Sequence, residues 1–252
     1  MLETRDLSVR FGGHKAVNRV SCQFQPGTLT AIVGPNGAGK TTYFNLISGQ
    51  IAATQGQVWL DGQNLSAWPA ARRTRAGLGR TFQLTQLFPR LSVLENVRLA
   101  VQAMQPGRHW RGLHLFSVSN DHPNLQTRAY ELLHSVAMAH QAHTPVASLP
   151  HGDQRKLEVA MLLALEPRVY MFDEPTAGMS HDEAPVILDL IREIKKNPQA
   201  IVLLVEHKMD VVRELADRII VLHNGELVAD GSPNEVIASP VVQQAYLGKV
   251  SA

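Results

Sequence analysis

The sequence predicts an α/β fold whose largely parallel sheet is covered by helices. Short, continuous apolar runs at 29–33, 169–172 and 201–205 read as strands buried on both faces. Helical patterns lie between them, the alternation expected of parallel strands joined by crossover helices. Each run then ends in polar residues, at Gly34, at Asp173 and at Glu206 with His207. Those residues mark the carboxyl edge of the sheet, where open α/β sheets bind their ligands.

The remaining elements follow in chain order. Residues 57–60 sit between Gly56 and Asp61-Gly62, a hairpin signal that places an antiparallel flank beside the parallel core. Ser92-x-x-Glu95, Ser180-x-x-Glu183 and Ser232-x-x-Glu235 read as capping boxes that start three helices. The stretch 84–149 lacks strand patterns and carries helical ones at 93–103 and 125–137, so it reads as a helical insertion, with joints at Pro106-Gly107 and 121–124. Asn224-Gly225 is a second hairpin turn, followed by short helices that begin at Pro233 and Pro240. The whole, 1–252, is expected to be one domain, with an α/β core of 1–83 and 150–252 and a helical subdomain of 84–149.

Composition narrows the function. A chain of 252 residues buries roughly 70 to 75% of its unfolded surface, enough for a sizeable core. The formal net charge of +2 does not imply a nucleic-acid partner. Cys22 is the single cysteine and residues 1–10 show no signal segment, so a reducing compartment is expected. The apolar runs 159–165 and 200–205 fall well short of the ~18 to 20 residues that cross a bilayer.

The strongest motif is Gly34-Pro-Asn-Gly-Ala-Gly-Lys-Thr, a phosphate loop placed after an apolar strand and before a helical pattern at 41–48. Gly37 and Gly39 let backbone amides turn toward an anion, the helix adds its positive end, Lys40 reaches the β and γ phosphates, and Thr41 can ligate Mg²⁺. Asn36, Gly37, Ala38, Gly39, Lys40, Thr41 and Thr42 are thus the candidate nucleotide-binding residues, with ATP and Mg²⁺ as ligands. A second motif, Val169-Tyr-Met-Phe-Asp-Glu, ends a buried strand in two carboxylates. Asp173 suits the metal side, and Glu174, pointing the other way along an extended chain, suits activation of the attacking water.

In this motif order the chain resembles the ATP-binding subunits of ATP-binding cassette (ABC) transporters over essentially its full length. The resemblance implies a P-loop ATPase fold with a RecA-like core. It implies a glutamine loop at Gln83, in Arg-Thr-Phe-Gln, that senses metal and water, and a switch histidine at His207 that contacts the γ phosphate. It also implies that Phe11, with Val17 beside it, stacks on adenine. The family's Leu-Ser-Gly-Gly-Gln signature, which caps the nucleotide of the opposite subunit, reads Leu149-Pro-His-Gly-Asp here, and only Leu149 and Gly152 match. Pro150 offers no hydroxyl, and Asp153 is expected to set a negative charge at a helix start that would otherwise attract phosphate. This predicts an asymmetric pair of ATP sites, the alternative being that backbone amides and the helix end suffice, with Asp153 serving as a cap.

Within the family, Phe11-Gly-Gly, Leu91-Ser-Val-Leu-Glu-Asn, Thr176-Ala-Gly-Met, Glu206-His-Lys-Met and Ala245-Tyr-Leu-Gly resemble the subunits that serve branched-chain amino-acid, amide and urea uptake. The resemblance implies a peripheral subunit on the cytoplasmic face of the bacterial inner membrane. Its partners would be transmembrane permease subunits, a second identical or homologous ATP-binding subunit and, indirectly, an extracytoplasmic solute-binding protein. The alternative is a soluble non-transport cassette ATPase or a nucleotide-dependent regulatory module. No Asn-Lys-x-Asp supports a GTPase, and no Gly-x-Gly-x-x-Gly follows a strand. Seven of the eleven histidines fall between His109 and His151, and they read as exposed helix residues and not as a metal site. The stretch 110–116 reads as packing within the insertion.

Overall fold

The computed structural model describes residues 1–81, 87–104, 123–240 and 242–243. Strands β1 (Leu2–Phe11), β2 (His14–Phe24) and β3 (Thr28–Val33) lead into helix α1 (Lys40–Ser48). Then come β4 (Gln55–Leu60), β5 (Gln63–Asn64), α2 (Ala70–Arg75), β6 (Leu78–Arg80), α3 (Val93–Ala103), α4 (Pro123–Ser135) and α5 (His151–Ala164). The chain ends with β7 (Val169–Asp173), α6 (Ala184–Lys195), β8 (Ile201–Val205), α7 (Met209–Leu215), β9 (Arg218–His223), β10 (Glu226–Gly231) and α8 (Pro233–Ala238). Two compact units result, one of Met1–Arg80, Pro167–Glu174 and Arg192–Ala252, the other of Thr81–Glu166 and Pro175–Ile191.

The first unit holds two sheets. Six strands in the order β10-β9-β3-β8-β7-β6 form the main one, parallel throughout except where β10 turns back on β9. The apolar runs of the sequence are β3, β8 and β7, adjacent at its centre. The antiparallel flank has the order β2-β1-β4-β5. Both hairpin signals form: Asp61 and Gly62 (φ 49° and 79°) and Asn224 and Gly225 (φ 50° and 78°) are two-residue turns with positive φ at both positions, the geometry that matches strand twist. One core joins the sheets, in which Tyr43, Phe44, Leu46 and Ile47 of α1 pack with Leu2, Leu7 and Phe24 from the flank and with Met171, Leu203 and Val205 from the main sheet.

Helix α1 is fixed at its far end by a residue that local patterns do not reveal. Arg73, buried on α2, donates from Nη1 to the carbonyls of Leu46 and Ile47 (2.7 Å each), from Nη2 to Ser66 O (2.9 Å) and from Nε to Trp68 O (3.0 Å). The carbonyls at a helix end have no intrahelical partner and carry the negative end of the helix dipole, so a cation there satisfies both.

In the second unit α3, α4 and α5 pack on one another, which is why α5 joins the helices of 84–149 in one compact body. The Ser92–Glu95 capping box is complete, with Ser92 N donating to Glu95 Oε2 (2.7 Å) and Glu95 N to Ser92 Oγ (3.2 Å). Ser232 and Glu235 form the same box ahead of α8. The third differs. Glu183 accepts from Ser180 N (3.0 Å) on Oε2 and from Lys156 Nζ (2.9 Å) on Oε1, yet helix α6 starts only at Ala184, because Glu183 N closes a turn onto Ser180 O (3.3 Å). The expected joint at Pro106-Gly107, residues 110–116 and three of the histidines lie outside the described residues. Among the described residues no group of three or more His, Cys, Asp or Glu could hold a metal, and His143 Nε2 instead meets Tyr130 Oη at 3.1 Å.

Candidate active site

The site is built from the loops that follow three adjacent strands, β3, β8 and β7. After β3 the chain makes the glycine loop. Gly34 has φ 155°, and a Cβ there would stand 2.1 Å from Leu222 O; Gly39, at φ 100°, caps α1, and its Cβ would stand 2.4 Å from Ala16 O. Only glycine fits either position. Backbone hydrogen bonds stitch the loop to its surroundings: Gly225 N donates to Ala38 O (3.0 Å) and Asn18 N to Gly225 O (2.8 Å). Asn36 and Gly37 form the exposed rim, and a Cβ at Gly37 would meet nothing within 4 Å.

Lys40 opens α1 and folds back over the loop, where its buried Nζ donates to Gly34 O (2.7 Å) and Pro35 O (3.1 Å). Burial pulls its pKa below the ordinary lysine value, while Glu174 and Asp173 act in the opposite sense. Thr41 and Thr42 are half-buried in the next positions of the helix.

After β7 stand the two carboxylates, in different environments. Asp173 is wholly buried and accepts from Arg80 Nη2 at 2.7 Å. Glu174 leaves the strand with φ 50°, so the chain is not extended there as the sequence suggested; its N–H donates to Val205 O (3.0 Å) at the end of β8. That bend brings Glu174 Oε1 within 2.8 Å of His207 Nε2, both side chains partly exposed. The structure thus brings together Lys40, Thr41, Asp173, Glu174 and His207 on one sheet edge.

The remaining candidates have different surroundings. Phe11 is 52% exposed at the tip of the β1–β2 hairpin, free to present its ring to a ligand. Val17 has no exposed surface and lies in the core, paired with Val9 in the same hairpin. Gln83 lies outside the described residues. In the second unit Gly152 occupies the first turn of α5, whose N-cap is Pro150. A Cβ on Gly152 would meet Glu183 Oε2 at 2.8 Å.

Sequence reasoning missed Arg80 and Lys156. Lys156 Nζ lies 2.9 Å from both Asp153 Oδ1 and Glu183 Oε1, and Gln141 Nε2 donates to Asp153 Oδ2 at 2.9 Å. The acid expected at the start of α5 is in place, with Asp153 in the first turn, and because Lys156 is shared between Asp153 and Glu183 the cluster keeps a net negative charge. Glu183 is held down to a pKa of about 2, chiefly by the Ser180 amide and then by Lys156.

A glycine loop between strand and helix with Lys-Thr at the helix start, and an acid pair on the same sheet edge, define a P-loop ATPase. Residues 17–177 match the ABC transporter family. The chain belongs to that family, as one of its ATP-hydrolysing subunits. It is 35% identical over 250 residues to the high-affinity branched-chain amino acid transport ATP-binding protein LivG of Escherichia coli K12, covering 99% of this chain and 98% of LivG. It is 34% identical to BraF of Pseudomonas aeruginosa, of the same description, with the same coverage. Among solved structures it resembles a nucleotide-free ATP-binding cassette from an ABC transporter (TM-score 0.83, 27% identity, 99% of each chain). It also resembles a dimeric cassette bound to ADP and Pi in a post-hydrolysis state (TM-score 0.80, 25% identity, 92% of this chain and 99% of that one).

Proposed function

We propose that the chain energises an importer of branched-chain amino acids, or of small solutes such as amides and urea. It would bind permease subunits at the cytoplasmic face of the inner membrane and pair with a second ATP-binding subunit, while a solute-binding protein delivers cargo from outside. The observation that carries the catalytic reading is the 2.8 Å contact between Glu174 and His207, beside the loop that holds Lys40.

In this reading Phe11 stacks on the base, and Asn36 to Thr42 receive the phosphates through loop amides and the positive end of α1. The hard oxygen donors of Thr41 and Asp173 fit Mg²⁺, with Gln83 as a further contact. When bound, that ion offsets charge on the phosphate oxygens. Glu174 takes the proton of the attacking water, and His207 holds Glu174 in place and reaches for the γ phosphate. Gly152 of the helical subdomain, 84–149 with the start of α5, serves the nucleotide of the opposite subunit. Support comes from the LivG and BraF descriptions and from the segments around Phe11, Leu91 and Glu206.

The test is co-expression of the chain with candidate permease subunits, reconstitution in vesicles, and uptake of labelled leucine, acetamide and urea in the presence of the binding protein. ATP-dependent uptake of one of these supports the proposal. An ATPase that co-purifies with no polytopic protein refutes the transport reading.

A further inference from the structure

Arg80 has no part in the chemistry above, yet it is buried at its centre. Its Nη2 donates to Asp173 Oδ2 (2.7 Å), its Nη1 to Asn45 Oδ1 (2.6 Å) and Ser48 Oγ (3.1 Å), and its Cζ lies 5.4 Å from the centroid of the Phe44 ring. Thr41, Asn45 and Ser48 stand at i, i+4 and i+7 on α1, so the guanidinium rests on the same helix face as the hydroxyl assigned to the metal. One planar fork therefore fixes the metal-side carboxylate against the helix that begins with Lys40 and Thr41.

The pair also sets the local charge. A wholly buried carboxylate without a counter-charge is strongly unfavourable and repels a triphosphate. With Arg80 in place Asp173 is balanced before any metal arrives. We propose that Arg80 is a positioning residue that sets how strongly nucleotide binding depends on the divalent ion: it lets ATP enter without metal and moderates the further gain when Mg²⁺ joins. The inference rests on the assignment of Thr41 and Asp173 to the metal.

The experiment measures ATP affinity of the purified chain in MgCl₂ and in EDTA, with the ratio of the two as the readout. Arg80→Met should weaken metal-free binding and raise the Mg²⁺ enhancement at least about tenfold, because Asp173 then repels bare ATP and attracts the ion more strongly. Arg80→Lys, which keeps the charge and loses the fork, should stay within about threefold of the wild type. Should Arg80→Met fail to fold, Arg80→Gln drops the charge but keeps a donor, and it carries the same expectation. A neutral variant with the wild-type ratio or a lower one, even if its Tm falls, reduces Arg80 to scaffolding and overturns the inference alone. A wild type that binds ATP equally in both buffers removes the metal assignment, and the inference with it.

Discussion

Glu174 is placed by its own backbone. Its left-handed backbone, unusual for a residue with a Cβ and unfavourable by about 1 kcal/mol, aims the carboxylate at His207 instead of along the strand. Glu174→Gln should keep the shape and ATP binding while cutting hydrolysis by about 10² to 10⁴, the loss expected for a positioned base. Lys40→Ala should instead abolish nucleotide binding, because the loop loses its cation. Equal turnover in either variant and the wild type, measured by phosphate release, would contradict these roles. Both residues were legible in the sequence because each sits in a short contiguous string with a fixed strand or helix beside it. Arg80 was not, since its partner Asp173 lies 93 positions away and nothing in a three-residue strand announces the pairing.

Helix α1 is held at its start by the glycine loop and at its end by Arg73. Arg73→Met leaves several buried carbonyls without a donor, so a loss of about 3 kcal/mol is expected. Thermal unfolding should fall by roughly 6 to 12 °C, and a shift under about 2 °C would show that water replaces the clamp. At the start of α5 the expectation concerns pH. Glu183 falls from an ordinary 4.5 to about 2 in the folded protein. A depressed carboxylate stabilises above its unfolded pKa and loses that contribution as pH falls toward its folded one. The stability gap between wild type and Glu183→Gln should therefore be full above pH 4.5 and close as pH approaches 2, as chemical denaturation at several pH values would reveal. A gap independent of pH over that range assigns it to packing. The third capping box shows why element boundaries were less legible than element existence: the Ser-x-x-Glu string is present and Glu183 Oε2 accepts from Ser180 N, but Glu183 N donates to the Ser180 carbonyl in a turn.

At the scale of the whole molecule, the parallel core and its antiparallel flank were legible because apolar runs and Asn-Gly or Asp-Gly turns are local signals. The allegiance of α5 was not, since helix packing depends on which apolar faces meet and not on the order of segments. On the proposed reading, in which Gly152 serves the nucleotide of the opposite subunit, each nucleotide needs a second subunit. Light scattering of Glu174→Gln with ATP should give a dimer that Lys40→Ala does not form; a monomer in both cases would place assembly under the control of the permease. Because Asp153 stands in the first turn of α5 and shares Lys156 with Glu183, Pro150→Ser combined with Asp153→Gln should raise turnover more than Pro150→Ser alone. No advantage of the double variant would refute the role expected of Asp153 in the asymmetry.

The hairpin turn at Asn224-Gly225 gives the protein a chemical clock. Asparagine followed by glycine is the dipeptide most prone to deamidate, because the glycine nitrogen attacks the asparagine side-chain carbonyl, expels ammonia and leaves a succinimide. Here that nitrogen is engaged, donating its proton to Ala38 O of the phosphate loop. Ageing of the turn is thus slowed while this hydrogen bond holds, and an isoaspartate there would lengthen the backbone beside the glycine loop. Peptide mapping of aged samples should find Asn224 converted more slowly with bound ATP than without, and fastest in unfolded protein.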